Sequence, residues 1–249
     1  GIAATFSVSR LGESIAFVSK DTRGQTIIGT IVGYQFKRLS THAVENSLLG
    51  VDVSDAVAYT YQLEGHEFYV VTFPQANLTW VYDTVTNMWH KWLSWDSQTG
   101  YYRHRSNCGC YFNGKYYVGD YANGLIYSLN NNVYTDNGNT IRRLRRCPHL
   151  VSDFQREYFS ELQLQFQPGV GLETGQGQNP QAMLRWSNDG GSTWSNEHWK
   201  SIGLVGQYNA RIRWLRLGWA RDRVYEVVVT DPIKAVIVSA NLKAEVGDN

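Results

Sequence analysis

Cysteine, proline and methionine are scarce in this sequence. Its 249 residues include three cysteines (Cys108, Cys110 and Cys147), five prolines and two methionines. An odd cysteine count in a chain of this length is a poor disulfide framework, and a reducing compartment is the simpler expectation. Charge of one sign is also lacking: 23 Lys and Arg stand against 22 Asp and Glu, a formal net charge of +1. That balance argues against a protein holding nucleic acid by bulk electrostatics, though it leaves local basic clusters open. No apolar run reaches the length of a membrane span, so no membrane partner is expected. No charged-then-apolar leader opens the chain, so no secretion signal is expected either. The first residue is Gly1 rather than Met, which suggests a fragment, a processed product or an engineered end.

Catalytic constellations are missing as well. The sequence has no Gly-rich phosphate loop, no Gly-x-Ser-x-Gly elbow and no His-Glu-x-x-His helix. His104, Cys108 and Cys110 have ligand chemistry, but their spacing fits no common zinc pattern and no second pair lies nearby. Asp83, Asp96 and Asp120 fall where strands end in turns, the ordinary place for aspartate, and do not suggest a glycosidase pair. The expectation is a non-enzyme without metal or cofactor.

Aromatic strand segments are abundant. Aromatics make up 14% of the chain and apolar residues 43%, a globular composition. Short strand-like runs separated by Gly, Asn and Asp turns recur throughout, among them Glu67–Phe73 and Lys115–Gly119. Long helical periodicity is hard to find, and the best helix candidate spans Ser54–Tyr61. In the first half, turn glycines recur at Gly12, Gly65 and Gly114. Each opens a strand-turn-strand copy, at a spacing of about 50 residues. The middle copy carries Thr79-Trp-Val-Tyr-Asp83 and then Asn87-Met-Trp-His-Lys-Trp92. It resembles a propeller blade of the kelch type. Three copies cannot close a ring, so either more blades precede Gly1 or the copies form an open array.

Composition shifts at Ile141-Arg-Arg-Leu-Arg-Arg146, followed by Cys147-Pro148-His149. A boundary is expected within residues 145–158, giving a propeller-like region at 1–147 and a second domain at 148–249. Arg142, Arg143, Arg145 and Arg146 form the densest positive run. They suit DNA phosphate, an acidic neighbouring subunit, or a solvated linker. Beyond them, Phe159–Gln167 alternates apolar Leu162, Leu164 and Phe166 with Gln163, Gln165 and Gln167. Four more strand-like runs follow, which suggests a β-sandwich.

Ser187-Asn-Asp-Gly-Gly-Ser-Thr-Trp194 matches the Asp-box pattern Ser-x-Asp-x-Gly-x-Thr-Trp at every fixed position: Ser187, Asp189, Gly191, Thr193 and Trp194. The pattern reads as a structural turn. Asp189 bonds nearby amides, Gly191 supplies positive φ, and Trp194 anchors the turn by burial. Downstream, Arg211 and Arg213 alternate with Ile212 and Trp214, and Arg216 follows. Arg221-Asp-Arg223 reads as a turn that locks itself by local ion pairing. Arginines of this kind favour protein interfaces, with a solvated face as the plain alternative.

The ordered set Arg185–Ser195, His198-Trp199, Gly203–Tyr208, Arg211–Gly218, Ala220-Arg-Asp-Arg-Val-Tyr-Glu226 and Thr230-Asp-Pro-Ile-Lys-Ala-Val-Ile-Val238 resembles the packaged-DNA stabilisation proteins of short-tailed phages, also called tail hub or tail accessory factors. The resemblance is strong over residues 183–240 and loose in the repeat region. It implies an all-β chain, β-propeller-like blades followed by a β-sandwich. It also implies a non-enzymatic tail component, assembled in the host cytoplasm and resident in the virion. Such a protein forms a ring of identical copies, six by the resemblance, below the portal after DNA packaging. There it touches the portal adaptor, the tail needle, the tailspikes and packaged DNA. Arg142, Arg143, Arg145, Arg146, Arg211, Arg213, Arg216, Arg221 and Arg223 are the residues expected to face a neighbour or DNA. Asp boxes also occur in sialidases, which keeps a glycan-binding or glycosidase-like phage protein as the alternative.

Overall fold

The structure is a computed structural model and describes residues 1–247. The chain folds as two compact units, Gly1–Asn130 and a second from Asn131 onward.

The first unit begins with a short 3-10 turn, Thr5–Ser7, and then repeats one motif. β1 (Ser9–Leu11), β2 (Ser14–Lys20), β3 (Thr26–Val32) and β4 (Gln35–Arg38) form an antiparallel meander in chain order. A short helix α1 (His42–Asn46) follows. β5 (Val57–Leu63), β6 (His66–Phe73), β7 (Leu78–Asp83) and β8 (Met88–Lys91) form a second meander. After the hairpin of β9 (Leu93–Asp96) and β10 (Gly100–Arg103) comes a third, β11 (Ser106–Phe112), β12 (Lys115–Asp120) and β13 (Ile126–Ser128). The glycines of the sequence repeat sit between the first two strands of each sheet. Glu64 and Gly65 have φ of 52° and 83°, and Asn113 and Gly114 have 47° and 78°. Two successive residues at positive φ make the tight turn whose twist matches a hairpin.

The middle sheet explains why these copies stack. Successive residues of a strand point to opposite faces. Tyr69, Val71 and Phe73 of β6 join Ala16, Val18 and Ile28 of the first sheet in one core cluster. Val70 of β6 and Val81 of β7 join Tyr59, Tyr61 and Val118 in another, with Tyr116 packed against it. The second meander is therefore buried on both faces by its neighbours, as blades are. Tyr69 is fully buried, and its hydroxyl donates to the Ser7 carbonyl at 2.7 Å.

The helix expected over Ser54–Tyr61 is not formed. Val57–Leu63 is strand β5, paired along its whole length with β6. Tyr59 and Tyr61 are two residues apart and enter the same cluster, a strand period rather than a helical one.

The second unit opens with a small hairpin, β14 (Thr135–Asp136) and β15 (Asn139–Thr140). The strands that follow are β16 (Arg143–Arg146), β17 (Glu157–Phe166), β18 (Gln181–Ser187), β19 (His198–Ser201), β20 (Ile212–Leu215), β21 (Trp219–Ala220), β22 (Val224–Val229) and β23 (Ile237–Val246). One sheet has the order β16-β22-β18-β19. In the other, β17 pairs with β20 and β21 along one side and with β23 along the other. Phe159, Leu162, Leu164 and Phe166 of β17, with Ile212 and Trp214 of β20, pack against Ala182, Leu184, Tyr225, Val227 and Val229. This is a two-sheet sandwich whose inner residues come from alternate strand positions. The composition shift puts the domain change at 147/148. In the structure the arginine run lies beyond Asn131, and Arg143–Arg146 of it form strand β16, which completes the sheet along β22.

The chain is thus all-β, with propeller-like blades followed by a β-sandwich.

Candidate functional site

A row of charge crosses one sheet of the second unit. β22 sends Tyr225, Val227 and Val229 into the core. Glu226 points to the other face and is fully buried. Register places Arg146 of β16 directly beside Glu226 on one side and Arg185 of β18 on the other. Arg146 Nε donates to Glu226 Oε2 at 3.1 Å, and Arg185 Nε to Oε1 at 2.6 Å. Both guanidinium groups stack on Trp194, 4.8 Å and 4.7 Å from its ring centroid. A buried carboxylate needs such partners, and the aromatic face adds cation–π attraction.

Trp194 is held there by the Asp-box turn. Ser187 Oγ donates to Asp189 Oδ1 at 2.6 Å and accepts the Gly191 N–H at 2.8 Å. Asp189 accepts the Thr193 N–H at 2.9 Å and the Thr193 hydroxyl at 2.6 Å. Trp194 Nε1 donates to the Gly191 carbonyl at 3.1 Å. The bonds from Ser187 and Thr193 hold the Asp189 carboxyl well below the usual carboxylate range. The turn is a structural clamp that seats an indole over an arginine pair.

Arg223 takes a different role from its neighbours. It is 1% exposed. Its Nε donates to Asn188 Oδ1 at 2.7 Å, Nη1 to the Leu217 carbonyl and the Tyr225 hydroxyl at 3.0 Å each, and Nη2 to the Trp219 carbonyl at 3.2 Å. Its guanidinium lies 4.5 Å from the Phe159 ring centroid. Burial pushes its pKa down from the ordinary arginine value. The local ion pairing expected within Arg221-Asp-Arg223 is replaced by outward and inward bonds. Arg221 donates to the Phe154 carbonyl, Asp222 bonds His149 at 2.8 Å, and Arg223 turns into the core. Arg223 is therefore an internal tie and not a surface residue.

The remaining predicted arginines divide by environment. Arg143 is half-buried and donates to the Asp231 carbonyl at 2.9 Å, and burial lowers its pKa. Arg142 is half-buried. Arg213 binds Glu161, which Lys243 also approaches at 2.9 Å, and the bond from Arg213 first, then that from Lys243, keeps the Glu161 carboxyl low. Arg145, Arg211 and Arg216 are exposed. The structure brings two of the predicted arginines to the Asp box, Arg146 over Trp194 and Arg223 to Asn188 from the core side, and leaves the others apart from it. Sequence reasoning missed Glu226 and Asn188. The signal for Glu226 was its place in an otherwise apolar run, Val224-Tyr-Glu-Val-Val-Val229, where a lone acid needs partners.

The first unit uses its acids in the same way. Asp83 is buried and would be pushed up by burial, but bonds from His66, the Val85 N–H and Thr86 outweigh this and leave it lowered. For Asp120, bonds from the Ala122 N–H, Tyr127 and Arg105 outweigh burial in the same direction. A general acid in glycoside cleavage needs a raised pKa. Asp83, Asp120, Glu161 and Asp189 are all held the other way. Among the described residues, no group of three or more His, Cys, Asp or Glu side chains is placed to hold a metal ion. Among the same residues, no helix is long and apolar enough to cross a membrane.

Comparison with protein-family models matches residues 1–134 to the bacteriophage P22 Gp10 β-propeller and residues 142–245 to the bacteriophage P22 Gp10 β-sandwich. Comparison with curated proteins gives no match. Among solved structures, one similar chain is a glycoside hydrolase family 43 arabinoxylan arabinofuranohydrolase from Bacillus subtilis in complex with cellotetraose. It shares 7% identity and a TM-score of 0.26 over 96% of this chain and 54% of that one. The chain spans about half the length of that structure, and a likeness at this score carries no argument.

Proposed function

This chain belongs to the bacteriophage P22 Gp10 stabilisation family through both its propeller and its sandwich, and from that premise we propose that it is a structural, non-enzymatic component of a phage tail. It joins the particle at the portal vertex once DNA is packaged, closes the exit and retains the DNA. It works as a ring of six identical copies bridging the portal adaptor to the tail needle and tailspikes. A head-to-tail contact that closes on itself is the geometry such a ring needs.

The observation that carries this reading is the paired match, propeller then sandwich, over most of the chain. The local chemistry agrees with it. The charged side chains that look most reactive are used internally: Glu226 by two arginines, Asp189 by its own turn, Arg223 by carbonyls. Exposed aromatics such as Tyr111, Phe112 and Tyr208, with Arg145, Arg211 and Arg216, are the kinds of side chain that anchor protein interfaces.

The test is DNA retention. DNA-filled particles lacking a tail are incubated with the full-length protein, and nuclease-accessible DNA is followed with time. Slowed release supports the reading. Release at the rate of untreated particles, with protein that is folded and in excess, contradicts it.

A further inference from the structure

Three asparagines of this chain are each followed by glycine: Asn113-Gly114, Asn123-Gly124 and Asn137-Gly138. The step has a chemistry of its own, because a glycine has no side chain to shield its amide nitrogen. That nitrogen attacks the asparagine side-chain carbonyl. A bond forms between Gly N and Asn Cγ, the Cγ–Nδ2 bond breaks, and ammonia leaves with the proton of the glycine N–H. Water then opens the cyclic imide, at Cγ to give aspartate or at the backbone carbonyl to give isoaspartate. The imide ring locks ψ of its asparagine outside the range of a residue in the left-handed region. An Asn-Gly step seated in a tight left-handed turn therefore reacts through an opened turn, and local opening is cheap only where little packing holds it.

The fold treats the three steps differently. Asn113 and Gly114, at φ of 47° and 78°, close the long hairpin of β11 and β12, paired from Phe112 opposite Lys115 to Ser106 opposite Asp120. Tyr111 and Tyr116 pack across it with centroids 4.8 Å apart, and Val118 lies in a core cluster. Asn123 is held by its own side chain: Oδ1 accepts the Leu125 N–H at 2.9 Å and must let go before Cγ reaches Gly124 N. Asn137 and Gly138, at φ of 51° and 81°, close β14 and β15, which pair only through Thr135 with Thr140 and Asp136 with Asn139. Among the described residues no third strand joins this hairpin. Asn137, Gly138 and Asn139 are exposed, and nothing lies within 4 Å of where a Cβ on Gly138 would stand. A two-stranded hairpin is marginal by itself. We propose that Asn137 is a self-modification site, the position at which this folded chain deamidates first. The new carboxylate brings the formal net charge from +1 to zero. Isoaspartate also adds an atom to the backbone of a two-residue turn, whose length sets the hairpin register. The inference stands independently of the tail reading.

The test is peptide mapping by mass spectrometry of the full chain held in mildly alkaline buffer, once folded and once in denaturant. In denaturant the three asparagines should convert at similar rates, because each is followed by glycine. In the folded chain Asn137 should convert at least about tenfold faster than Asn113 and Asn123, since its hairpin opens without disturbing a core. Enzymatic methyl labelling of isoaspartate should fall in the same peptide. Asn137→Gln should remove the first acidic variant seen on ion exchange, because the longer side chain closes a larger, slower ring. Asn113 or Asn123 converting as fast as Asn137 in the folded chain overturns the proposal. So does Asn137 leading by the same factor in denaturant, which would place the preference in the sequence and not in the hairpin. An Asn137 that stays an amide in the folded chain while the denatured chain converts overturns it as well.

Discussion

Replacing Arg223 by methionine tests whether a buried arginine ties the sandwich together. Methionine keeps the length of the stem and fills space adaptably, so the cavity left is small. What is lost is four hydrogen bonds, to Asn188, Leu217, Trp219 and Tyr225. The Leu217 carbonyl and the Tyr225 hydroxyl are buried, whereas Asn188 and Trp219 are exposed and can bond water instead. Two buried acceptors left without a donor, at about 2 kcal/mol each, cost about 4 kcal/mol. One effect opposes this. The folded protein no longer has to desolvate a cation, and replacing buried charge by apolar side chains is sometimes stabilising. Among the described residues no carboxylate neutralises the guanidinium, but Phe159 at 4.5 Å and Tyr225 at 5.4 Å compensate part of the burial. Allowing about 1 kcal/mol for that relief, the net loss is about 3 kcal/mol. At roughly 4 °C per kcal/mol for a unit of this size, the sandwich transition falls by about 12 °C. Differential scanning calorimetry reads this directly, and the transition of the first unit serves as an internal control. A fall under about 3 °C, or a rise, would refute the reasoning and make Arg223 replaceable by any side chain of its volume.

Other expectations follow from the same kind of argument. Glu226→Ala leaves Arg146 and Arg185 without their shared carboxylate, but both guanidinium groups are partly exposed and can turn to water, so it should cost about 1–3 kcal/mol. Arg146→Ala should cost less, because its side chain is 48% exposed and Arg185 remains; urea denaturation of both variants checks the order. Gly29→Ala drives a Cβ into the Phe36 ring and to 2.7 Å from the Lys37 carbonyl, and overpacking of this kind costs about 1–3 kcal/mol. Gly124→Ala meets nothing within 4 Å and should be near neutral in the same melts. Asp83 and Asp120 have folded pKa values below their ordinary ones. The stability they contribute is therefore present above the ordinary carboxylate range and lost as pH falls through their lowered values. Asp83→Asn should lower neutral-pH stability and flatten the acid limb of a pH titration of the first unit. An unchanged limb would show that Asp83 is not linked to folding.

Much of this fold is legible in the sequence where local rules and tertiary packing agree. Gly65 and Gly114 mark hairpins because a tight turn there requires positive φ. Leu162, Leu164 and Phe166 mark a core face because strand alternation matches burial. The Asp box was legible because its bonds are all local. Legibility fails where partners come from far along the chain. Ser54–Tyr61 resembles a helix in composition alone, and pairing with β6 decides otherwise. The run Arg142–Arg146 looks like a solvated linker until Glu226, eighty residues on, is placed beside Arg146. Arg223 carries the same charge as Arg221, yet one is buried and the other exposed. Charge does not report burial, and only the approach of Leu217, Trp219 and Asn188 separates the two.

The most direct measurement of the central claim is cryo-electron microscopy of DNA-filled, tail-less particles after incubation with the full-length protein. The account predicts a closed ring of density at the portal vertex, into which the blades and the sandwich of each copy fit. Particles with a bare portal vertex, or with the protein bound elsewhere on the capsid, would contradict it.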